Sequence, residues 1–152
     1  MKRAPSRNVT VGPILAGNEE EWRQLWQHYL EFYETDLPGA VTAHTWQDIL
    51  ANDNVVGIGA RRDGRLVGFA IMIVHPATWS ERPTAYLEDL FVSSDQRGKG
   101  VGRMLIDEAI RCARASGSGS LYWHTQANNA AARRLYDTYC QADDFVRYRL
   151  KF

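Results

Sequence analysis

The stretch Tyr86–Gly102, YLEDLFVSSDQRGKGVG, decides the fold because it changes character twice along its length. It begins with large apolar and aromatic side chains, which favour a β-strand. Polar residues Ser93–Gln96 then predict a turn, and a glycine-rich cationic loop, Arg97–Gly102, leads directly into an amphipathic helix. In such an arrangement, unpaired N–H groups and the positive end of the helix dipole face a ligand. The stretch therefore predicts an anion-binding loop that suits a phosphate.

The spacing of the glycines excludes two common phosphate-binding loops. A P-loop needs a Lys-Ser or Lys-Thr pair after its last glycine, and this chain contains neither pair. The dinucleotide fingerprint would need a glycine where Arg103 stands. The pattern that fits is R-x-x-G-x-G, formed by Arg97, Gly100 and Gly102. Taken alone, this pattern is also compatible with a tight turn and a glycine helix cap.

Length and composition predict one globular domain, residues 1–152, with residues 1–8 as a flexible arm. The 18 basic and 18 acidic residues cancel, so no net field favours nucleic acid or a membrane surface. We find no apolar run long enough for a membrane span or a secretory signal, which predicts a cytoplasmic protein. Two cysteines and four well-separated histidines predict neither a disulfide framework nor a metal site.

Patterning along the rest of the chain predicts a mixed α/β sheet. Asn18–Glu21 fits a capping box, and apolar residues then recur at helical spacing as far as Tyr33. Two strands, Asn54–Ala60 and Leu66–Val74, flank an Asp-Gly hairpin turn. The complete predicted order is β-α-α-β-β-β-α-β-α-β, with a right-handed crossover adding a parallel strand. The last strand would contain four apolar residues, namely Phe145, Val146, Tyr148 and Leu150.

A second motif, Asn129-x-x-Ala132-x-x-Leu135-Tyr136, follows the next predicted strand. Its spacing puts Asn129, Ala132 and Tyr136 on one helix face, where the small Ala132 would leave room for a ligand. The same residues would equally suit a helix cap and a core face. Together, the two motifs resemble those of the GNAT superfamily of acetyl-CoA-dependent N-acetyltransferases, with most similarity to the diamine and polyamine branch.

This resemblance implies acetyl-CoA as the cosubstrate, no metal, and the GNAT fold with central strands that splay apart after a β-bulge. The glycine-rich loop would hold the pyrophosphate of coenzyme A, and the preceding strand would pair with pantetheine. The residues implied to bind the coenzyme are Leu90, Phe91, Val92, Arg97, Gly98, Lys99, Gly100, Val101, Gly102, Asn129 and Ala132. One departure is that Cys140-Gln141 stands where the family usually has Gly-Phe.

Proton transfer is assigned to two residues. The attacking amine must be neutral, and deprotonating a lysine-like amine at pH 7 costs about 4.6 kcal/mol. Glu88 is the predicted general base, and since adjacent strand residues face opposite sides, Asp89 need not face the site as well. The alternative is that both carboxylates only pair with neighbouring donors. The resemblance implies that Tyr136 protonates the leaving thiolate, while a strand N–H near Leu90 polarises the thioester oxygen.

The acceptor is predicted from the end of the first helix, where acidic residues border aromatic ones and suit a cationic amine. An alternative is a solvated helix face. The predicted substrate residues are Tyr29, Tyr33, Glu34 and Glu88. The resemblance implies a polyamine, a diamine, a lysine-like amino acid or a basic peptide. The alternative function is a non-catalytic acyl-CoA-binding module that signals through a partner, and the exposed last strand predicts a possible homodimer.

Overall fold

The computed structural model describes residues 8–152, so the predicted arm lies outside the described residues apart from Asn8. The described elements confirm a mixed α/β sheet flanked by helices. Short 3-10 turns at Ala16–Asn18 and Ser94–Gln96 precede the first and third helices. The elements in chain order are β1 (Val9–Pro13), α1 (Glu19–Phe32), α2 (Gly39–Ala51), β2 (Val55–Arg62), β3 (Arg65–His75), β4 (Thr84–Val92), α3 (Val101–Ala115), β5 (Ser120–Tyr122) and α4 (Ala130–Tyr136).

The five strands form one sheet in the order β1-β2-β3-β4-β5. The first four are antiparallel neighbours, and β5 joins β4 in parallel after the α3 crossover. Helices α1 and α2 cover one face around a cluster of buried aromatic rings. The centroid of the Trp22 ring lies 5.2 Å from the ring centroids of both Trp26 and Trp46. Helix α3 covers the opposite face with Leu105 and Ile106 fully buried. Helices thus cover both faces of the sheet and hold β4 and β5 in place at one end of the strand order.

The predicted splay is present between β4 and β5. These strands pair only from Thr84–Tyr86 to Ser120–Tyr122, whereas β4 continues to Val92. The part of β4 beyond Tyr86 is still paired with β3 on its other side. Its edge facing β5 therefore offers backbone N–H and C=O groups to a ligand that enters the gap.

A β-bulge at Glu88 changes which side chains of β4 face each helix layer. Ile71 pairs with Asp89 and Met72 with Leu87, so Glu88 is the extra residue on β4. Leu87 before the bulge packs in the α3 core, and Phe91 after it packs in the α1 core. If side chains alternated strictly along β4, Leu87 and Phe91 would lie on the same face of the sheet. The bulge therefore brings Asp89 to the α1 face.

The last predicted strand is wrong for the described residues, because residues 141–152 form no strand. A strand needs a neighbour to satisfy its backbone groups, and β5 offers only three paired residues at the end of the sheet. The side chain of Asp143 instead accepts a hydrogen bond from the Phe145 amide. The large apolar residues of this segment are consequently exposed, Tyr148 to 92% and Leu150 to 83%.

The predicted capping box of α1 is also wrong. Asn18 precedes the helix, but its side-chain oxygen accepts hydrogen bonds from the Leu15 amide and from Arg61. Glu21 accepts a hydrogen bond from the Leu66 amide in β3, at 2.8 Å. Both polar side chains thus join α1 to the sheet, a tertiary use that the local pattern could not reveal.

Candidate active site

A cleft of about 550 Å³ opens where β4 and β5 separate. Its walls are the end of α1, the second half of β4, the glycine-rich loop and α4. The predicted coenzyme residues that line it are Leu90, Phe91, Val92, Arg97, Gly98, Gly100, Val101, Gly102, Asn129 and Ala132. Tyr33 and Tyr136 line the same cleft. The fold therefore brings both sequence motifs to one cavity.

The glycine-rich loop has the geometry of an anion cradle. Gly98 and Gly100 adopt φ angles of 71° and 81°, a left-handed conformation that favours glycine. A Cβ atom at either position would meet no heavy atom within 4 Å, so the backbone itself requires glycine here and the loop surface is open. Gly100 caps α3, and the first three residues of this helix, whose N–H groups have no partner within the helix, line the cleft. The positive end of the helix dipole and the unpaired backbone N–H groups therefore favour the binding of a diphosphate at this loop.

The two cations of the loop occupy different positions. The Arg97 Nε atom donates to the Val92 carbonyl oxygen at 3.0 Å, and its guanidinium lies 5.2 Å from the Phe32 ring centroid. Arg97 is therefore fixed against the cleft wall. Lys99 instead donates from Nζ to the Asp95 carbonyl oxygen at 2.9 Å. Of the two, Arg97 is the better placed to meet a phosphate in the cleft.

Helix α4 presents the second motif to the cleft. The Asn129 side-chain oxygen accepts from the Ala132 amide at 3.2 Å and caps the helix. This bond leaves the amide nitrogen of Asn129 to bind a ligand carbonyl. Tyr136, at the last position of α4, packs edge-on against Trp123 with 5.6 Å between the ring centroids. Burial and the nearby Tyr33 raise the pKa of Tyr136 to about 12, so its hydroxyl stays protonated at neutral pH.

An acidic pair lies at the bulge beside the cleft. Glu88 is exposed, whereas Asp89 is more enclosed and its Oδ1 accepts from the Tyr29 hydroxyl at 2.7 Å. Burial raises the pKa of Asp89 to about 7; the Tyr29 hydrogen bond opposes that rise, and the charge of Glu88 adds to it. Burial raises the pKa of Tyr29 and of Tyr86, and both carboxylates raise it further. The two carboxylates thus act in one electrostatic cluster.

Sequence reasoning missed Asp89 because it assumed strict alternation along β4. The bulge that overturns this assumption left no local signal beyond the rare Glu-Asp pair in an apolar strand. Among the predicted substrate residues, Tyr29 bonds Asp89, and Tyr33 packs edge-on against Tyr29 at 5.1 Å. Glu34 lies just past α1 with a positive φ of 50° and is exposed. Tyr29, Tyr33 and Glu88 therefore converge near Asp89, whereas Glu34 has no contact that places it with them among the described residues.

Residues 8–152 contain no candidate metal site and no candidate membrane-spanning helix. No cluster of three or more His, Cys, Asp or Glu side chains in that range is arranged to hold a metal ion. None of the helices described there is long and apolar enough to span a membrane. Both cysteines are free thiols: Cys112 is half-buried and Cys140 is exposed.

A splayed sheet, an anion-binding loop at a helix N-terminus and a half-buried tyrosine in the same cleft define an acyl-CoA-dependent transferase. The sequence model of the Acetyltransferase (GNAT) family matches residues 20–140, and the chain belongs to that family. The cleft fits coenzyme A, because it combines the diphosphate cradle with an open strand edge for the pantetheine amides. The chain is therefore an acetyl-CoA-dependent N-acetyltransferase, with acetyl-CoA as its cosubstrate.

Individual relatives agree with this class. The chain is 32% identical over 146 residues to the D-amino-acid N-acetyltransferase HPA3 of Saccharomyces cerevisiae, covering 93% of this chain and 89% of that protein. It is 39% identical over 92 residues to the streptothricin acetyltransferase of Streptomyces lavendulae, covering 58% and 46% respectively. The aminoglycoside N-acetyltransferase AAC(6')-Iy, crystallised with CoA, shares the fold with a TM-score of 0.85 at 21% identity, over 98% of this chain and 99% of that one.

Proposed function

We propose that the enzyme acetylates a small primary amine by direct attack on the thioester, without a covalent enzyme intermediate. The observation that carries this proposal is the Glu88–Asp89 pair, which sits on the bulge beside the open edge of β4. Carboxylates attract an ammonium group and can remove its proton. The names of the two relatives give D-amino acids and streptothricin as acceptors. This variety supports a small amine in general, and diamines, polyamines, lysine-like amino acids and basic peptides all stay within the proposal.

The proposed mechanism gives each residue one task. Acetyl-CoA supplies the activated acetyl group. Backbone amides of residues 97–102 and the α3 N-terminus hold its diphosphate, while the open edge of β4 orients its pantetheine arm. Glu88, exposed at the bulge, takes the proton of the amine directly or through water. Tyr136 donates a hydrogen bond or a proton to the departing sulfur, and the backbone N–H near Leu90 polarises the carbonyl oxygen.

A direct assay separates this function from a non-catalytic acyl-CoA sensor, which would need neither Glu88 nor Tyr136. We expect free thiol to appear when the protein is incubated with acetyl-CoA and at least one member of a panel of amino acids, diamines, polyamines and basic peptides. The acetylated product should be visible by mass spectrometry. As a control, Gly100→Val should abolish thiol release, because a β-branched residue does not tolerate the φ of 81°. Tight coenzyme binding with no thiol release for any acceptor would favour the sensor.

The exposed C-terminal segment supports a second proposal, that two copies of the chain associate. Val146, Tyr148, Leu150 and Phe152 alternate with basic residues, as on an edge strand, and all four are at least 75% exposed. A second copy would cover these apolar side chains. We expect sedimentation at micromolar concentration to show a dimer, and Tyr148→Asp with Leu150→Asp to shift it to monomer with the fold intact. A wild-type protein that sediments only as a monomer would refute this proposal.

A single domain and a cytoplasmic location are further proposals for this enzyme. That residues 1–152 form one domain and that the enzyme acts in the cytoplasm both stay predictions from the sequence.

A further inference from the structure

A hydrogen bond joins helix α1 to the acidic bulge of β4. The Tyr29 hydroxyl donates to Asp89 Oδ1 at 2.7 Å, between two residues that are 60 positions apart in the chain. Tyr29 lies in the last turn of α1, and Asp89 is the first residue after the bulge, where it pairs with Ile71 of β3. The bond can form because the extra residue in β4 brings Asp89 to the α1 face.

Aromatic packing fixes the ring that carries this hydroxyl. The centroid of the Tyr29 ring lies 5.4 Å from that of Trp26, 5.7 Å from that of Phe69 and 5.8 Å from that of Phe91. These three neighbours all belong to the buried core beneath α1. A ring that is already held on several sides has little rotamer freedom left to lose, so its hydroxyl keeps one direction.

The two carboxylate oxygens of Asp89 have different surroundings. Oδ1 accepts from Tyr29, whereas Oδ2 accepts no hydrogen bond from any group in residues 8–152. Asp89 is half-buried, and the side-chain atoms of that range that are fully buried without a partner do not include Oδ2. Oδ2 is therefore accessible to a ligand, and a bound ammonium group would supply the donor that it lacks.

The charge around Asp89 also favours a cation. No arginine, lysine or histidine of the described chain forms an ion pair with Asp89. The titratable groups that face it come from α1 and β4, while β3 contributes an apolar partner. All of these groups are neutral or acidic, namely Tyr29, Tyr33, Tyr86 and Glu88. An acceptor that enters as an ammonium ion would thus meet uncompensated negative charge.

We propose that Tyr29 is a positioning residue for the acceptor: its hydroxyl holds Asp89 Oδ1, which leaves Oδ2 to anchor the ammonium group of the incoming amine. This inference rests on the proposed acetylation of a small amine. It replaces the direct substrate contact that the sequence predicted for Tyr29 with a role exerted through Asp89. Glu88 then takes the proton of the anchored amine, as in the proposed mechanism. Because Tyr29 donates to the charged carboxylate, it also opposes the rise in the pKa of Asp89 that burial causes.

Tyr29→Phe tests this role, because it removes the hydroxyl and keeps the ring in its aromatic packing. The probe is the amine of the panel that gives the highest kcat/KM. We expect its KM at pH 7 to rise about fivefold to tenfold, as for the loss of one hydrogen bond to a charged group, with KM for acetyl-CoA within about twofold of wild type. The rising limb that Asp89 gives near pH 7 should move upward by about one pH unit.

Two further measurements separate positioning from packing. The acceptor KM of Tyr29→Phe should recover as the pH rises from 7 to 9, because Asp89 becomes charged again, whereas a packing defect would persist. In an Asp89→Asn background, Tyr29→Phe should raise the acceptor KM no further, since the hydroxyl acts through the carboxylate. An additional rise of the same size in that background would overturn the inference.

Tyr139→Phe is the matched control. Tyr139 also donates its hydroxyl to an aspartate, Asp107 at 2.6 Å, and neither residue lines the coenzyme cleft. This variant should change neither the acceptor KM nor the position of the limb. An acceptor KM or a limb in Tyr29→Phe that matches Tyr139→Phe would overturn the inference and leave the acetyltransferase function intact. Absence of thiol release with every acceptor would instead refute the proposed function, and this inference with it.

Discussion

Replacing Tyr136 with Phe is expected to lower kcat about 10²- to 10³-fold while coenzyme binding survives. The substitution removes one hydroxyl and keeps the ring that packs against Trp123. The cleft wall should therefore keep its shape, and the loss should fall on the step in which the sulfur departs. Stopped-assay thiol release gives kcat, and thermal stabilisation by coenzyme A reports binding separately.

The pKa of Tyr136 limits what the hydroxyl can do. At about 12, it lies roughly 3.5 units above the pKa of an ordinary thiol, so complete proton transfer to a free thiolate would be uphill by about 5 kcal/mol. A strong hydrogen bond to the developing negative charge on sulfur avoids most of this cost. We therefore expect the wild-type rate to show no fall near pH 9, since Tyr136 keeps its proton there.

Tyr139→Phe is the matched control for this prediction. Tyr139 lies three residues further along, its pKa is also raised to about 12, and its hydroxyl donates to Asp107 at 2.6 Å, outside the cleft lining. The same chemical change should leave kcat within about twofold of wild type. A Tyr136→Phe enzyme as active as Tyr139→Phe would remove Tyr136 from the mechanism.

The sequence predicted most of the loop and helix residues that line the cleft, because the signals for these two elements are local. The loop from Arg97 to Gly102 must hold positive φ angles within a few residues, and glycine marks those positions directly. The spacing from Asn129 to Tyr136 likewise defines one helix face without any tertiary information. Lys99 shows the limit of such local inference, because its side chain turns to the Asp95 carbonyl oxygen.

The residues on the acceptor side of the site are positioned by long-range strand register. Their arrangement was therefore harder to predict from the sequence. Whether Asp89 faces α1 depends on one extra residue in the pairing of β3 with β4, which no sequence period records. The hydrogen bond from Tyr29 to Asp89 depends on the same extra residue. The final strand failed for a related reason: its alternating pattern is genuine, but the described chain supplies no neighbour for it.

The second large effect is expected when the two carboxylates are neutralised, in Glu88→Gln and in Asp89→Asn. Glu88→Gln should lower kcat/KM about 10²- to 10³-fold at pH 7, with partial recovery at high pH as the free acceptor amine loses its proton in solution. Asp89→Asn should weaken acceptor binding and remove a rising limb of the pH profile centred near 7, where Asp89 gains its charge. Glu81→Gln, on the exposed loop before β4, should leave both kcat/KM and acceptor binding unchanged.

The two carboxylates interact electrostatically, so the assignment of the limb near pH 7 to Asp89 can be tested by the position of that limb as well as by the rate. The charge of Glu88 contributes to the raised pKa of Asp89, so Glu88→Gln should move the limb assigned to Asp89 to lower pH. A limb that stays in place in Glu88→Gln and persists in Asp89→Asn would belong to another group. In that case the acidic pair would be structural, and the proton acceptor would have to be sought elsewhere.

Stability provides an independent check on Asp89. Its folded-state pKa of about 7 lies above the value of 3.8 for an unperturbed Asp, so the folded protein holds this proton more tightly than the unfolded chain. The stabilisation is complete below pH 3.8 and is lost as pH rises to 7. Denaturant unfolding of Asp89→Asn should therefore show less decline in unfolding free energy between pH 5 and 8 than wild type. Parallel declines in the two proteins would mean that Asp89 titrates normally, and the enclosed carboxylate could not then set the activity limb near pH 7.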